Sequence, residues 1–92
     1  MKNGPEHNET EWIVYVLQCA DDSLYTGITN NLPARIEAHE NGTGAKYTKG
    51  RGPFKLYYKE NAPDRSTASR RELEIKRLSR VEKLALARRA AQ

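Results

Sequence analysis

The chain has 92 residues with one cysteine, and its 16 Lys and Arg against 12 Asp and Glu give a formal net charge of +4. This length predicts one domain with a modest core, and a lone cysteine excludes an internal disulfide and suits a reducing cytoplasm. No apolar run approaches the roughly 20 residues that a membrane span needs, so no membrane partner is expected. Residues 1–10 are polar and unpatterned, which predicts a disordered leader before a single domain over residues 11–90.

Two strands are predicted near the start of this domain. Residues 12–19 form a run rich in β-branched and aromatic side chains, and residues 24–28 form a shorter one. The residues between them, 20–23, are typical of a turn, so the two runs predict an antiparallel hairpin.

The length of the hairpin loop decides where two tyrosines point, because side chains alternate between the two faces of a strand. A two-residue loop would pair Tyr25 with Gln18 and put Tyr15 and Tyr25 on opposite faces. A loop one residue longer would pair Tyr25 with Cys19 and put both tyrosines on one face. The sequence leaves both possibilities open.

An apolar stripe predicts a helix over residues 32–40, ended by Gly42. Arg35 and His39 are four residues apart and therefore share one side of this helix. A guanidinium binds phosphate in a rigid fork, and a histidine one turn away can bind the same phosphate or a water. The alternative is a surface arginine beside a half-buried structural histidine.

A basic loop follows this helix. Residues 41–59 contain five basic residues and no acidic one, and four glycines make the first part flexible. A basic loop that also carries an aromatic ring suits a phosphate backbone and unstacked bases. The residues predicted to contact nucleic acid are Lys46, Tyr47, Lys49 and Arg51. The alternative is the solvated surface of an ordinary basic protein.

The remaining elements are a strand and two helices. The strand is predicted over residues 54–59, with Phe54, Leu56 and Tyr58 on one face. The first helix is expected to start near Ser66 or Thr67. The second begins at the capping box of residues 79–82 and runs to about Arg89, with Val81, Leu84 and Ala85 packing it against the sheet.

The predicted fold class is α/β, of the α+β type: a small three-stranded antiparallel sheet flanked by helices, in the order β-β-α-β-α-α. Glu72 falls at the margin of the core-facing side of the first of the two last helices. A carboxylate there needs a cation or a metal nearby. The alternative is an exposed ion pair with Lys76, four residues on, worth a few tenths of a kcal/mol.

The order of these polar residues resembles the GIY-YIG nuclease domain over roughly residues 12–79. The resemblance rests on Ile13-Val14-Tyr15, on Tyr25-Thr26-Gly27 after nine intervening residues, on Arg35 and on Glu72. Both tyrosines and the glycine of the second triplet are kept, whereas three other letters of the signature differ. The layout is similar to the small stand-alone bacterial members of the family.

The resemblance implies metal-dependent hydrolysis of DNA phosphodiester bonds by a cytoplasmic monomer, with selectivity for DNA structure in repair or processing. Glu72 would hold Mg²⁺, or Mn²⁺ in its place, and Arg35 would offset the charge on the phosphoryl oxygens. Tyr15 would position or deprotonate the attacking water, which requires a lowered phenol pKa, and Tyr25 would bind the phosphate or order the water. Restriction-enzyme members with a histidine one turn after the arginine imply a functional His39.

Two features point to alternatives. Many family members carry an asparagine near the C-terminal side of the site, and this chain has none after Asn61. The sequence also predicts no appended DNA-binding domain. A protein partner is then expected to deliver the DNA, or the chain is a nucleic-acid-binding module with a vestigial nuclease site. A third possibility is a structural domain that binds acidic protein surfaces. Because one carboxylate holds Mg²⁺ weakly, metal binding without DNA is expected to be poor.

Overall fold

The computed structural model describes residues 11–90, and the leader predicted over residues 1–10 lies outside them. The elements are β1 (Trp12–Gln18), β2 (Leu24–Thr29), α1 (Leu32–Glu40), β3 (Lys55–Ala62), α2 (Arg65–Lys76) and α3 (Arg80–Ala90). The three strands form one antiparallel sheet in the spatial order β2-β1-β3. The predicted α+β fold and the order β-β-α-β-α-α are confirmed. None of the helices in this described range has the length and apolar character to cross a membrane.

The β1–β2 hairpin closes through a three-residue loop. Cys19 N–H donates to the Ser23 carbonyl at 2.8 Å, and Asp22 N–H donates to the Cys19 carbonyl at 2.9 Å. Asp22 has a φ of 74°, the left-handed conformation that closes such loops and that Asp tolerates better than most residues.

This loop gives a register that differs from both sequence alternatives. Tyr25 lies opposite Leu17, rather than opposite Gln18 or Cys19, and Tyr15 lies opposite Gly27. The register differs by two residues from the one that pairs Tyr25 with Cys19. Because side chains alternate with a period of two, both tyrosines still lie on the same face of the sheet.

The two faces of the sheet carry separate clusters. On the face of Tyr15 and Leu17, α1 packs through Leu32 and Ile36. On the opposite face, α2 and α3 cover Val14 and Val16, and the buried helical residues are Ala68, Ile75 and Leu86. The central strand β1 is therefore covered on both sides, which explains why it reads as a nearly continuous apolar run.

The predicted side-chain pattern of the third strand is wrong. Val16 lies opposite Tyr58, whereas Leu17 lies opposite Leu56, so the register shifts at a bulge that contains Tyr57. A bulge inserts one residue and reverses the alternation of faces beyond it. Leu56 and Tyr58 therefore lie on opposite faces, and Leu56 is 43% exposed.

The helix ends follow local sequence signals. Asp64 caps α2 by accepting from Thr67 N–H at 2.7 Å, so the helix begins at Arg65, slightly before the predicted start. At the start of α3, Ser79 N–H donates to Glu82 at 2.8 Å and Glu82 N–H donates to the Ser79 hydroxyl at 3.2 Å, which confirms the capping box.

The packing of α3 departs from prediction. Val81 is 71% exposed, while Leu86 is the buried residue of the helix. Two polar contacts fix the orientation of the helices. Arg71 of α2 donates to Glu60 of β3 at 2.7 Å, and Arg80 donates to the backbone carbonyl of Asp22 in the hairpin loop at 2.8 Å.

Candidate active site

A chain of buried hydrogen bonds joins β1, α1 and the basic loop. The Tyr15 hydroxyl lies 2.8 Å from Nε2 of His39, and Nδ1 of the same ring lies 2.8 Å from the hydroxyl of Thr48. The Thr48 hydroxyl in turn donates to the backbone carbonyl of Ala45 at 3.0 Å. Tyr15, His39 and Thr48 are each at most 1% exposed.

The hydrogen bond from Thr48 to Ala45 fixes the direction of the other two hydrogen bonds. The proton of the Thr48 hydroxyl is used on the Ala45 carbonyl, so its oxygen must accept from Nδ1–H of His39. A neutral imidazole with a proton on Nδ1 carries a lone pair on Nε2. That lone pair accepts the phenol proton of Tyr15. The chain thus runs in one direction, from Tyr15 through His39 and Thr48 to the backbone.

Two glycines make room for these rings. A β-carbon on Gly27 would lie 2.6 Å from the Tyr15 hydroxyl oxygen, and one on Gly44 would collide with the His39 ring. Both contacts are closer than a side chain tolerates, so only glycine fits at either position. The glycine of the family-like triplet therefore has a steric function beside Tyr15.

Tyr25 lies between the buried rings of Tyr15 and His39 and the surface of the protein. Its ring centroid lies 6.4 Å from that of Tyr15 and 5.3 Å from that of His39. On its other side Tyr47 of the basic loop stacks at 6.0 Å with an interplanar angle of 16°. Tyr47 and Thr48 are consecutive, so the loop is anchored by one aromatic contact at the surface and one hydrogen bond inside.

Arg35 interacts most strongly with Tyr15. The pKa of Arg35 is raised, first because the Tyr15 phenol oxygen hydrogen-bonds to the guanidinium. The pKa of Tyr15 is also raised, mainly by burial, then by Tyr25 and least by the charge of Glu72, although Arg35 partly opposes the rise. In the protein without metal or DNA the phenol pKa of Tyr15 is thus raised, whereas the proposed activation of water was expected to need a lowered one near a metal ion.

His39 is held neutral by its surroundings. Burial lowers its pKa, the nearby charge of Arg35 lowers it further, and Glu40 opposes both. A neutral ring keeps the lone pair on Nε2 that the Tyr15 hydroxyl needs. His39 is 1% exposed, so it is buried more deeply than the half-buried structural histidine of the alternative.

Glu72 approaches from the opposite side of the sheet. It lies on α2, its side chain is 20% exposed, and its carboxylate pairs with Lys76 at 3.2 Å. The predicted alternative partner is therefore present. The charge of the carboxylate contributes weakly to the raised pKa of Tyr15.

The donor set fits a hard cation that keeps most of its water. Between Glu11 and Ala90, no group of three or more His, Cys, Asp or Glu side chains could hold a metal by itself. A single carboxylate such as that of Glu72 suits Mg²⁺, which commonly binds through one or two carboxylates, several waters and substrate phosphate. Such a site is completed by the substrate and not by the protein alone.

The basic residues of the loop differ in their contacts. Lys46 and Lys49 are exposed, and neither pairs with a carboxylate within the described part of the chain. Arg51, predicted to contact nucleic acid with them, instead pairs with Asp21, donates to the Tyr47 carbonyl at 2.7 Å and lies 4.3 Å from the Tyr47 ring centroid. These contacts give Arg51 a structural function in holding the loop.

Two residues of this cluster were not anticipated from the sequence. Thr48 and Gly44 belong to no periodic pattern, and both lie in a loop whose fold depends on the tertiary contacts of α1. The only available signal was the density of glycines before Thr48, which is typical of a backbone that approaches another group closely.

The comparisons with known proteins agree with this geometry. Residues 11–85 match the GIY-YIG catalytic domain. The chain is 59% identical over 73 residues to the UPF0213 protein CPE1444 of Clostridium perfringens, across 79% of this chain and 78% of that protein.

Two solution NMR structures share the fold. The UPF0213 protein BH0048 from Bacillus halodurans is 47% identical, with a TM-score of 0.53 over 83% of this chain and 81% of that one. The protein EF2693 from E. faecalis is 36% identical, with a TM-score of 0.60 over 86% and 84%. The domain match includes both clustered tyrosines, Arg35 and Glu72, and the chain therefore belongs to the GIY-YIG catalytic domain family, a family of nucleases.

Proposed function

We propose that this protein is a metal-dependent endonuclease that hydrolyses DNA phosphodiester bonds and selects its substrate by DNA structure, as in repair or processing. The observation that carries the proposal is the directed chain from Tyr15 through His39 to Thr48, with Arg35 beside its outer end. A structural core gains nothing from three buried polar side chains aligned in this way, because an apolar core of the same shape is at least as stable.

Arg35 and Tyr25 are the residues that would touch the scissile phosphate. Both are partly exposed, whereas Tyr15 and His39 behind them are buried. The guanidinium would stabilise the negative charge that builds on the phosphoryl oxygens. The Tyr25 hydroxyl would hydrogen-bond the same phosphate or order the attacking water.

Tyr15 and His39 would move the proton of that water. The water loses its proton to the Tyr15 oxygen while the phenol proton passes to Nε2 of His39, and the Nδ1–H of the resulting imidazolium stays on Thr48. No phenolate accumulates, so the raised pKa of Tyr15 does not oppose the step. The leaving oxygen takes its proton from solvent.

Access to Tyr15 depends on its neighbours. Its side chain has no exposed surface in the free protein. Water reaches the phenol only when Tyr25 or Arg35 turns toward a bound phosphate. The proton transfer is thereby tied to substrate binding.

Glu72 would hold the metal ion. Mg²⁺, or Mn²⁺ in its place, supplies charge that polarises the phosphate and stabilises the leaving oxygen. Glu72 must release Lys76 for this purpose, and a helical pair four residues apart is worth only a few tenths of a kcal/mol. A cytoplasmic monomer, served by a protein partner that delivers DNA, remains part of the proposal.

A nucleic-acid-binding module with a vestigial site is the second candidate. The burial of Tyr15 favours this alternative, because a buried phenol is not reached by water in the free protein. A structural domain that binds acidic proteins is the third candidate.

A cleavage assay on branched, flapped and plain DNA with Mg²⁺, Mn²⁺ or EDTA tests the proposal. The informative variant is Glu72→Gln, which keeps size and hydrogen bonding but loses the charge that a hard cation needs. The matched control is Glu74→Gln on the same helix, where the side chain is 64% exposed and pairs with Arg71.

We expect Glu72→Gln to keep its melting temperature and DNA affinity and to lose cleavage, while Glu74→Gln cleaves normally. Undiminished cleavage in Glu72→Gln rules out the metal assignment. Salt-dependent DNA binding by the unaltered protein, without cleavage under any metal, favours the binding module. No affinity for nucleic acid at all favours the structural domain.

A further inference from the structure

A groove lies at the free edge of β2, outside the buried hydrogen bonds that join Tyr15, His39 and Thr48. It has a volume of about 330 Å³ and is lined by Leu24, Tyr25, Thr26, Tyr47, Lys76 and Lys83. The strand β2 is an edge strand, since only β1 pairs with it. Tyr25 belongs both to this groove and to the cluster around His39, so the groove continues directly from the candidate active site.

The groove carries two positive charges on its helical side. Lys76 comes from α2 and Lys83 from α3. Lys76 shares its charge with Glu72 at 3.2 Å, whereas Lys83 has no carboxylate partner over residues 11–90. A pair of ammonium groups beside an open groove favours an anionic ligand such as a phosphate over a cationic one.

A buried polar atom lies under the sheet face opposite to Tyr25. The Thr26 hydroxyl oxygen is buried and has no hydrogen-bond partner among the described residues, and the residue is 3% exposed. Thr26 lies opposite Val16, so its side chain lies on the face that α2 and α3 cover. The hydroxyl is therefore a feature of the packing beneath the groove and not a contact for the ligand.

The remaining lining is apolar or aromatic. Leu24 and the stacked rings of Tyr25 and Tyr47 form a surface suited to an unstacked base. A volume of about 330 Å³ lies at the small end of ligand pockets, which suits one nucleotide and is far too narrow for a duplex.

We propose that this groove binds one unpaired nucleotide next to the cleavage site, with its phosphate on Lys76 and Lys83 and its base against Leu24 and the tyrosines. The inference rests on the proposed nuclease function and specifies its substrate class: nucleic acid in which an unpaired strand leaves the duplex beside the scissile phosphate. A fully paired strand cannot place a base in the groove.

Binding of labelled DNA in EDTA tests this inference without any cleavage step. The probes are a hairpin duplex with a short unpaired tail, the same duplex with a blunt end, and the duplex with a tail of abasic nucleotides. The variants are Lys83→Ala and the double variant Lys76→Ala/Lys83→Ala. The control is Lys55→Ala, an exposed lysine on β3 at the other edge of the sheet.

We expect the double variant to bind the tailed duplex several-fold more weakly and the blunt duplex as the unaltered protein does. The slope of log affinity against log salt should fall by about 0.7, the value for one phosphate contact on a single strand. Lys55→Ala should match the unaltered protein, and the abasic tail should bind more weakly than the normal tail.

Thr26→Val is a control for packing beneath the groove. The replacement has nearly the same shape and removes the unsatisfied hydroxyl, so its melting temperature should be equal or higher and its preference for the tailed duplex should stay the same. Equal losses on tailed and blunt DNA, or no loss in the double variant, would overturn the groove assignment. Equal binding of normal and abasic tails would do so too. If the unaltered protein prefers tailed DNA but cleaves none, the nuclease proposal fails while the groove assignment stands.

Discussion

The phenol hydroxyl of Tyr15 donates to Nε2 of His39 over 2.8 Å, although the two residues are 24 positions apart in the chain. This contact joins the central strand to α1 inside the protein and keeps the imidazole ring edge-on to the phenol, with centroids 5.9 Å apart. Because Thr48 holds the other ring nitrogen, the contact has a defined direction. The direction of these hydrogen bonds can be tested by substituting the residues that form them one at a time.

The first prediction concerns Thr48→Val. The variant keeps the shape of the side chain but leaves Nδ1–H of His39 without an acceptor, which should cost about 1–3 kcal/mol of stability. We expect the ring to shift toward the tautomer with its proton on Nε2, and cleavage to fall with it. Nitrogen NMR shifts of the imidazole report the tautomer directly.

Two controls separate this effect from a general loss of packing. Thr48→Ser restores the hydroxyl and should restore the tautomer, whereas Thr43→Val alters an exposed threonine of the same loop and should change neither. An unchanged tautomer in Thr48→Val, in a protein that still folds, would show that Thr48 does not orient the ring.

The second prediction concerns Gly27→Ala. The added methyl group would lie 2.6 Å from the Tyr15 hydroxyl oxygen and must displace the phenol from His39. We expect a loss of about 1–3 kcal/mol in stability, as for other overpacked cores, and a loss of activity. Thermal melts and the imidazole shifts of His39 measure the two effects.

Gly50→Ala is the comparison for this variant. Gly50 has a φ of 78° but open space around it, so alanine there should cost backbone strain alone. We expect it to lower the melting temperature without changing the His39 ring. Equal perturbation of His39 by both variants would argue against the steric function of Gly27.

The third prediction is a pH dependence of stability. The folded protein lowers the pKa of His39 below its ordinary value of 6.5, so the unfolded chain binds the proton more readily. The free energy of unfolding should therefore be highest above pH 6.5 and fall as the pH drops below it, toward the pKa of the folded state. Denaturant titrations at several pH values measure this slope.

The chain contains one other histidine, His7, outside the described residues. His7→Ala should keep the slope near pH 6, and His39→Gln should remove it. If the slope disappears in His7→Ala and survives in His39→Gln, then His7 and not His39 causes the pH dependence.

The fourth prediction concerns the free cations of the basic loop. For duplex binding by Lys46→Glu/Lys49→Glu, the slope of log affinity against log salt should become shallower by about 1.8. This is about 0.9 for each lost phosphate contact. Stability should change by less than about 0.5 kcal/mol, because both side chains are exposed. An unchanged slope would show that DNA does not bind at this loop.

Arg51 should respond differently from these lysines. Arg51→Glu places two carboxylates together at Asp21 and removes the cation from the Tyr47 ring. Since the pair is partly exposed, the expected cost is only up to about 1 kcal/mol. Its distinctive effect should be a looser loop, measured as faster amide exchange at Tyr47 and Thr48.

Local signals in the sequence were sufficient for the elements and for the candidate side chains. Strand composition, helix caps and the spacing of Arg35 from His39 depend only on neighbours in the chain, so α1 was predicted with its observed bounds. The family-like order of tyrosines, arginine and glutamate also follows from the sequence alone.

Only the tertiary structure decided how these residues meet. The loop at Asp22 set the register that puts Tyr15 beside Gly27, and a bulge at Tyr57 reversed the faces of β3. Neither event has a strong local signal, because several loops and registers are compatible with the same residues. Burial then raised the pKa of Tyr15, and the fold of the basic loop brought Thr48 to His39. Burial and long-range hydrogen bonds depend on elements that are distant in the chain, and no pattern of neighbouring residues contains them.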